Sequence, residues 1–255
     1  MYGFLFSRRW LGILAAVVLF AAACGLLADW QLHRLEGRHA RNHLIRDNLH
    51  APVTPADQAL AVGRDPAGDR EWLPVRATGH WDVAHQLVVR LRPYNGDVGF
   101  YVITPLVTEA GPAVLVNRGW VPAGEGGATV PPVPAPPGGT VTVTGRLRPT
   151  EPPATGAAPP PGQITRIDVP GIARTLPYDV YGGFLELTRQ DPKPTKAPRI
   201  IPPPEPSEGP HLLYTVQWIL FGLMAFGGYV VLARREAADR RAARAAPVTT
   251  VQVRT

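Results

Sequence analysis

The chain has 255 residues, enough for one medium domain plus anchors. A single cysteine excludes an intrachain disulfide, so any folded domain must hold by packing. The net charge of +6 comes mainly from the two ends, while the long middle is nearly neutral, which argues against nucleic-acid binding.

Arg8 and Arg9 precede a charge-free apolar run at residues 10–28. At about 1.5 Å per residue this run covers roughly the 30 Å hydrocarbon core of a bilayer. We predict a first transmembrane helix over 10–32 and a second over the uncharged run 212–233. Trp10 and Trp30 flank the first, and Tyr214 and Tyr229 lie toward the ends of the second, as rings do at headgroup depth. Arg234, Arg235, Arg240, Arg241, Arg244 and Arg254 follow the second run. Basic tails stay inside, so tails 1–9 and 234–255 are expected in the cytoplasm and residues 33–211 outside. The expected setting is the cell (plasma) membrane, crossed twice, with lipid around both helices. A cleaved leader is the rival reading of the N-terminus, with AAAC at 21–24 as a weak processing site, but the apolar run continues to Leu27.

Residues 31–50 read as a helical extension of the first span, weakened at Gly37 and ended by Pro52. A short helix is expected over 55–62. Five strands follow: VRATGHW (75–81), QLVVRL (86–91), FYVITPLV (100–107), AVLVNRGWV (113–121) and TVTVTGRLR (140–148). Each is rich in β-branched or aromatic residues and bounded by Gly, Pro or Asn. Asn95-Gly96 predicts a tight hairpin turn. DVPGIARTL (168–176) predicts a short helix capped by Asp168, and GGFLELTRQ (182–190) a late strand that closes the sheet. Three proline-rich stretches, 131–137, 152–162 and 192–210, are expected to be extended and to carry little core. The fold class is therefore a membrane protein with two transmembrane α-helices bracketing an extracytoplasmic, mainly-β domain, an antiparallel sheet or small barrel with short helices.

Nucleophiles are scarce. Ser7 lies in the tail, Ser207 in a proline-rich tether, and Cys24 in the first span. A Ser or Cys hydrolase needs such a group beside a base in a shaped pocket, so no enzyme is expected. GEGGAT (124–129) lacks the lysine and the strand-to-helix setting of a phosphate loop. His39, His43, Asp47 and His50 share one helical face with ligand types that suit zinc, and a metal-dependent enzyme would use them. The plainer reading is a solvated polar face, and we assign no metal. His80, Asp82 and His85 likewise read as an exposed turn at a strand end.

HLLYTVQWILF (211–221) opens the second span with an ionisable ring. His211, Tyr214, Trp218, Gly222, Ala225 and Tyr229 share one helical face, aromatic above and small below. One reading is an interfacial belt with a hydrogen-bonding histidine. The other is a ligand or docking face, formed by His211, Tyr214 and Trp218, for a flat iron-bearing macrocycle such as haem. His33 is expected at similar depth, and on the second reading it is a second ligand.

Taken together, the motifs resemble the SURF1 family of haem–copper oxidase assembly factors. WQLHR (30–34) resembles the family's Trp-Gln-x-x-Arg after the first span, and VRATGHW its strand with Gly before an aromatic. RPYNGDVGFYVITPL (92–106) resembles the segment ending in Thr-Pro-Leu, and GRLR (145–148) and HLLYTVQWILF keep the order. VLVNRGWVP (114–122) is the most specific match. Gly209-Pro210 stands where the family often has Asn-Asn, Thr215 and Ile219 where Ala and Phe are common, and the insert near 152–162 lies outside the pattern. The resemblance implies a chaperone role in cytochrome c oxidase assembly in the respiratory chain, delivering haem a to, or stabilising it in, subunit I. On that resemblance His211 is the haem-contacting residue. Trp30, Gln31, Arg34, Asn117, Arg118 and Trp120 are partner-binding residues, with oxidase subunits, first of all subunit I, as partners. For NRGWVP the alternative is a strand end that packs Trp120 into the core. A membrane-anchored scaffold or sensor without a haem role is the competing function.

Overall fold

In the computed structural model, residues 2–124, 130 and 132–245 are described. The glycine run at 125–129, Pro131 at the head of the first proline-rich stretch, and the end of the basic tail with Arg254 lie outside the described residues. The chain divides into two compact units, residues 1–41 with 207–255, and residues 42–206.

The first unit is a helix pair. Helix α1 spans Arg8–Leu49 and runs through Gly37 without a break. It is longer than the predicted 10–32 because the extension 31–50 continues it in the same conformation. The last helix, which we label α4 after two short helices below, spans His211–Ala245. Both are long and apolar enough to cross a bilayer, and only 11% and 6% of their most apolar windows are buried. A core helix of a water-soluble protein would bury most of that surface; here Leu19, Leu26, Leu213 and Leu223 point outward.

The helices run antiparallel. Gln31 lies beside His211, Ala21 and Cys24 beside Gly222, and Trp10 beside Tyr229. Gly222 lets the backbones approach: a Cβ there would sit 3.7 Å from the Cys24 Cβ, in ordinary contact. At the far end a short 3-10 turn, Gly3–Phe6, folds back, and Phe4, Trp10, Ala233 and Ala237 form a buried cluster. The Trp10 and Tyr229 rings meet edge to face at 5.6 Å. Trp10, expected as an outward interfacial ring, thus packs inside the pair, because the small Ala233 and Ala237 leave space for it.

The second unit is built on strands β1 (Thr54–Pro55), β2 (Pro74–Trp81), β3 (Leu87–Tyr94), β4 (Asp97–Thr108), β5 (Ala113–Pro122), β6 (Thr140–Arg148), β7 (Gln163–Ile164) and β8 (Val180–Asp191). Helices α2 (Ala56–Ala59) and α3 (Val169–Ala173) are short. The order β2-β6-β8-β5-β4, with a β2–β4 pairing, closes a five-stranded barrel. Gly79 sits at that seam. A Cβ there would collide with the Val107 carbonyl oxygen, so the close approach at this point of the seam needs a residue without a side chain.

The late strand does close the sheet, and among the described residues it brings the one parallel pairing within the five barrel strands. β8 pairs antiparallel with β6 and parallel with β5. The chain between β6 and β8, with β7 and α3, supplies the crossover that parallel pairing needs. Asn95 and Gly96 both have positive φ and make the β3–β4 turn, and Asp168 caps α3 by accepting from Gly171 N–H. β5 is buried on both faces. Val114 and Val116 join the cluster with Val75, Val143, Leu106 and Leu185, while Leu115 joins Ile103, Phe184 and Ile172 of α3 on the other side.

The proline-rich stretches carry more structure than expected. Val133 packs against Phe100 and Val121, and Pro134 offers its carbonyl to Arg118. Arg199 pairs with Trp120 through two backbone hydrogen bonds of 2.8 Å. Semi-rigid extended chain loses little entropy on docking, so a few such contacts suffice to fix it.

Candidate functional site

On the helix pair, the His211 Nδ1 lies 2.8 Å from Gln31 Oε1. An amide oxygen only accepts, so Nδ1–H donates and the Nε2 lone pair stays free. Gly209 flanks that edge: a Cβ there would come within 3.4 Å of Nε2. The His211 carbonyl accepts from Thr215 Oγ1 at 3.0 Å, within the first turn of α4. A fixed tautomer with an open Nε2 is the arrangement that suits a metal-ligating imidazole.

The other residues of the predicted face divide. Trp218 is half-buried and meets Phe221 edge-on at 5.8 Å, while Tyr214 is 44% exposed and turned to the side. Thr215, buried, takes the inward place expected of Tyr214, because it lies one turn below His211 on the face toward α1. In WQLHR, Gln31 turns inward to His211, whereas Trp30 points outward with the Arg34 guanidinium 5.5 Å over its ring. His33 Nδ1 engages the Asp29 carbonyl at 2.9 Å on its own helix.

His39, His43, Asp47 and His50 do not gather. His39 Nε2 lies 3.3 Å from Glu208, and His50 Nδ1 bonds the Arg46 carbonyl of its own helix. Among the described residues no three His, Cys, Asp or Glu side chains are grouped to hold a metal ion. His80 Nε2 meets Thr140 Oγ1, apart from Asp82 and His85.

In the barrel, Asn117, Arg118 and Trp120 are all buried, at 1%, 2% and 1% exposure. All three lie within β5, and Trp120, near its end, packs into the core. The cause is a bulge: Val102 pairs with Gly119 and Ile103 with Asn117, so Arg118 is an extra residue with no partner on β4. Asn117 Oδ1 accepts from Gly119 N–H across the bulge. Trp120 Nε1–H donates to the Arg92 carbonyl at 2.8 Å, and its ring stacks on Tyr94. Arg118 donates to Gln86 Oε1 at 3.0 Å and to the Pro134 carbonyl at 2.9 Å. Burial pushes its guanidinium down to about 10.

A buried ionic network lies on β6 and β8. Arg146 and Arg148 reach Glu186 at 3.3 and 2.7 Å, and Arg148 Nε lies 3.3 Å from Glu71. Arg92 pairs with Glu151 at 2.6 Å nearby. Burial lowers the Arg146 guanidinium below its usual range, against the pull of Glu186. Sequence reading passed over this network. Its one signal was two arginines at period 2 in GRLR, a spacing that puts both on the same face of a strand.

Asp82 accepts from the Tyr178 hydroxyl and from His85 Nδ1, both at 2.6 Å. Burial pushes its carboxyl up, but these hydrogen bonds and the charge of His85 outweigh it and hold the group below the ordinary carboxylate value. A lowered folded value stabilises the fold above the unfolded value of about 4, and the gain fades as pH falls through the folded value. Asp82→Asn should therefore melt below the parent at neutral pH, and the gap should narrow from about pH 4 downward. Melting curves at stepped pH check this; a gap constant to pH 2.5 would refute it.

Comparison with known proteins agrees in order and extent with these motifs. A model of the SURF1 family matches residues 18–223. SURF1-like proteins of Mycobacterium tuberculosis and Mycobacterium bovis are each 35% identical over 243 residues, covering 93% of this chain and 88% of theirs. The cytochrome oxidase assembly protein SHY1 of Saccharomyces cerevisiae is 28% identical over 96 residues, which is 37% of this chain and 24% of the yeast protein.

Proposed function

The chain belongs to the SURF1 family, and from that premise we propose that it is a non-enzymatic assembly factor for haem–copper cytochrome c oxidase. It assists the insertion of haem a into, or its stabilisation in, subunit I. The name of the yeast relative supports the oxidase part of this reading. The haem part is carried by one observation, the His211 Nδ1–H bond to Gln31 Oε1 that leaves Nε2 free. Haem iron accepts a neutral imidazole as axial ligand. His211 would hold the iron side of the cargo, and Trp218 and Tyr214 would lie against its apolar body. Gln31 is a positioning residue: it holds the tautomer and the ring angle. On this reading both termini are cytoplasmic and the barrel domain lies outside the plasma membrane, which the basic tails support. Trp30 and Arg34, outward on α1, offer a surface to the oxidase.

The test is the reduced-minus-oxidised spectrum of membranes from a deletion strain. The haem a band should weaken and return with the gene. A normal band in the deletion strain would overturn the oxidase role. His211→Ala should fail to restore the band at unchanged protein level and membrane insertion, and Gln31→Leu should restore it only in part, with roughly tenfold weaker haem retention. Full restoration by His211→Ala would remove the ligand role and leave the scaffold reading.

A further inference from the structure

One cavity of the second unit lies within the barrel domain itself. It measures about 490 Å³ and opens in the barrel domain between the end of β8 and the strap 193–200. Leu187, Pro194, Ala197, Pro198 and Ile200 supply apolar walls. Three cations, Arg118, Arg189 and Lys193, also line it, and no acidic side chain does among the described residues.

Arg118 is the informative member. It is 2% exposed, and its described partners are neutral: Gln86 Oε1, the Pro134 carbonyl, and the Trp81 ring 5.7 Å below the guanidinium. Among the described residues no carboxylate lies within 4.0 Å of it, unlike Arg92, Arg146 and Arg148, each of which has its glutamate. Keeping a charge in a dry interior without a counter-ion is costly, and chains seldom do so where the charge has no use. The bulge in β5 is what forces Arg118 inward to this place. The wall opposite is preformed, because prolines stiffen the strap and Arg199 ties it to Trp120 through two backbone bonds. A cavity of this size, mostly apolar with a few convergent charges, has the composition of a small-ligand site.

We propose that this cavity binds an amphiphilic anion, a carboxylate or phosphate head on an apolar body, with the head against Arg118, Arg189 and Lys193 and the body along Leu187, Pro194 and Ile200. The site does not depend on any haem role. A fatty acid and an alkyl phosphate both present these two chemistries.

The full-length protein in phosphatidylcholine nanodiscs is titrated calorimetrically with octanoate and with hexyl phosphate, against empty nanodiscs. Saturable binding of one or both is expected, and whichever binds more tightly identifies the head group. Inorganic phosphate and hexanol, each carrying half of the chemistry, should bind at least about tenfold more weakly. Arg189 and Lys193 are exposed, so Arg189→Gln with Lys193→Gln should keep the melting temperature and weaken binding about tenfold or more. Arg118→Gln tests the buried head contact, read together with its melting curve. No saturation by either amphiphile, equal affinity for hexanol, or an unchanged double variant would overturn the proposal. So would binding of an acidic apolar peptide in place of both amphiphiles, which would make the cavity a protein-docking site.

Discussion

Glu186→Ala should lower the stability of the barrel domain by about 3–5 kcal/mol, the cost of leaving buried cations without their anion. Glu186 is the hub for both Arg146 and Arg148, and its side chain and that of Arg146 are 9% and 7% exposed. Arg148 keeps a second partner in Glu71 and stacks 3.9 Å over Trp72. Among the described residues Arg146 keeps only the Ile201 carbonyl, and its Nε has no partner. The damage should therefore fall on Arg146. In a domain of this size the loss corresponds to roughly a 10 °C drop in the melting midpoint of the full-length protein in nanodiscs. Adding Arg146→Met to Glu186→Leu removes both charges together and should recover much of the loss, since an apolar pair avoids the desolvation penalty. A single variant that melts with the parent would refute the hub; a double variant no better than the single would place the loss in packing.

Gly119→Val should cost about 2–4 kcal/mol, through backbone strain and a lost pair of hydrogen bonds. Gly119 has φ +130°, a conformation that side chains with a Cβ rarely adopt. A Cβ there would also collide with the Arg199 carbonyl oxygen and sit 2.9 Å from its carbon. The two Trp120–Arg199 backbone bonds run through that contact, so the strap should detach. Hydrogen exchange at the Trp120 and Arg199 amides reads this directly, and both should lose protection. Gly138→Ala, where a Cβ meets nothing within 4 Å, is the control and should melt with the parent. Retained protection in Gly119→Val would refute the account. The glycine of NRGWVP is thus explained by geometry: the bulge at Arg118 and the close strap need a residue without a side chain between them.

The periodic elements were legible. Apolar runs of 19 and 22 residues without charge read as helices long enough to cross a bilayer, and α1 and α4 follow. β-branched runs between Gly, Pro and Asn placed six strands, because alternating burial leaves a period-2 trace along the chain. Asn95-Gly96 and Asp168 were readable because turns and caps depend on a few adjacent residues.

Other features join residues far apart in the chain, and no local pattern records them. Closure of the barrel at Gly79, the parallel placement of β8, the Glu186 hub and the strap on Trp120 are all of this kind. The predicted site illustrates both halves. His211 and Gln31 were each visible in their own motifs, but their hydrogen bond spans 180 positions and exists only because α1 and α4 pack antiparallel. Tyr214 looked like part of the same face, yet Thr215, one turn below His211, is the buried residue and Tyr214 is exposed. Sequence alone determined the two long apolar helices, the six longer strands, the capped turns and the motif order, because each depends on local composition and period. Tertiary structure alone decided which polar groups meet, which cations are buried and where a cavity opens, because those depend on distances between segments that the chain order leaves free.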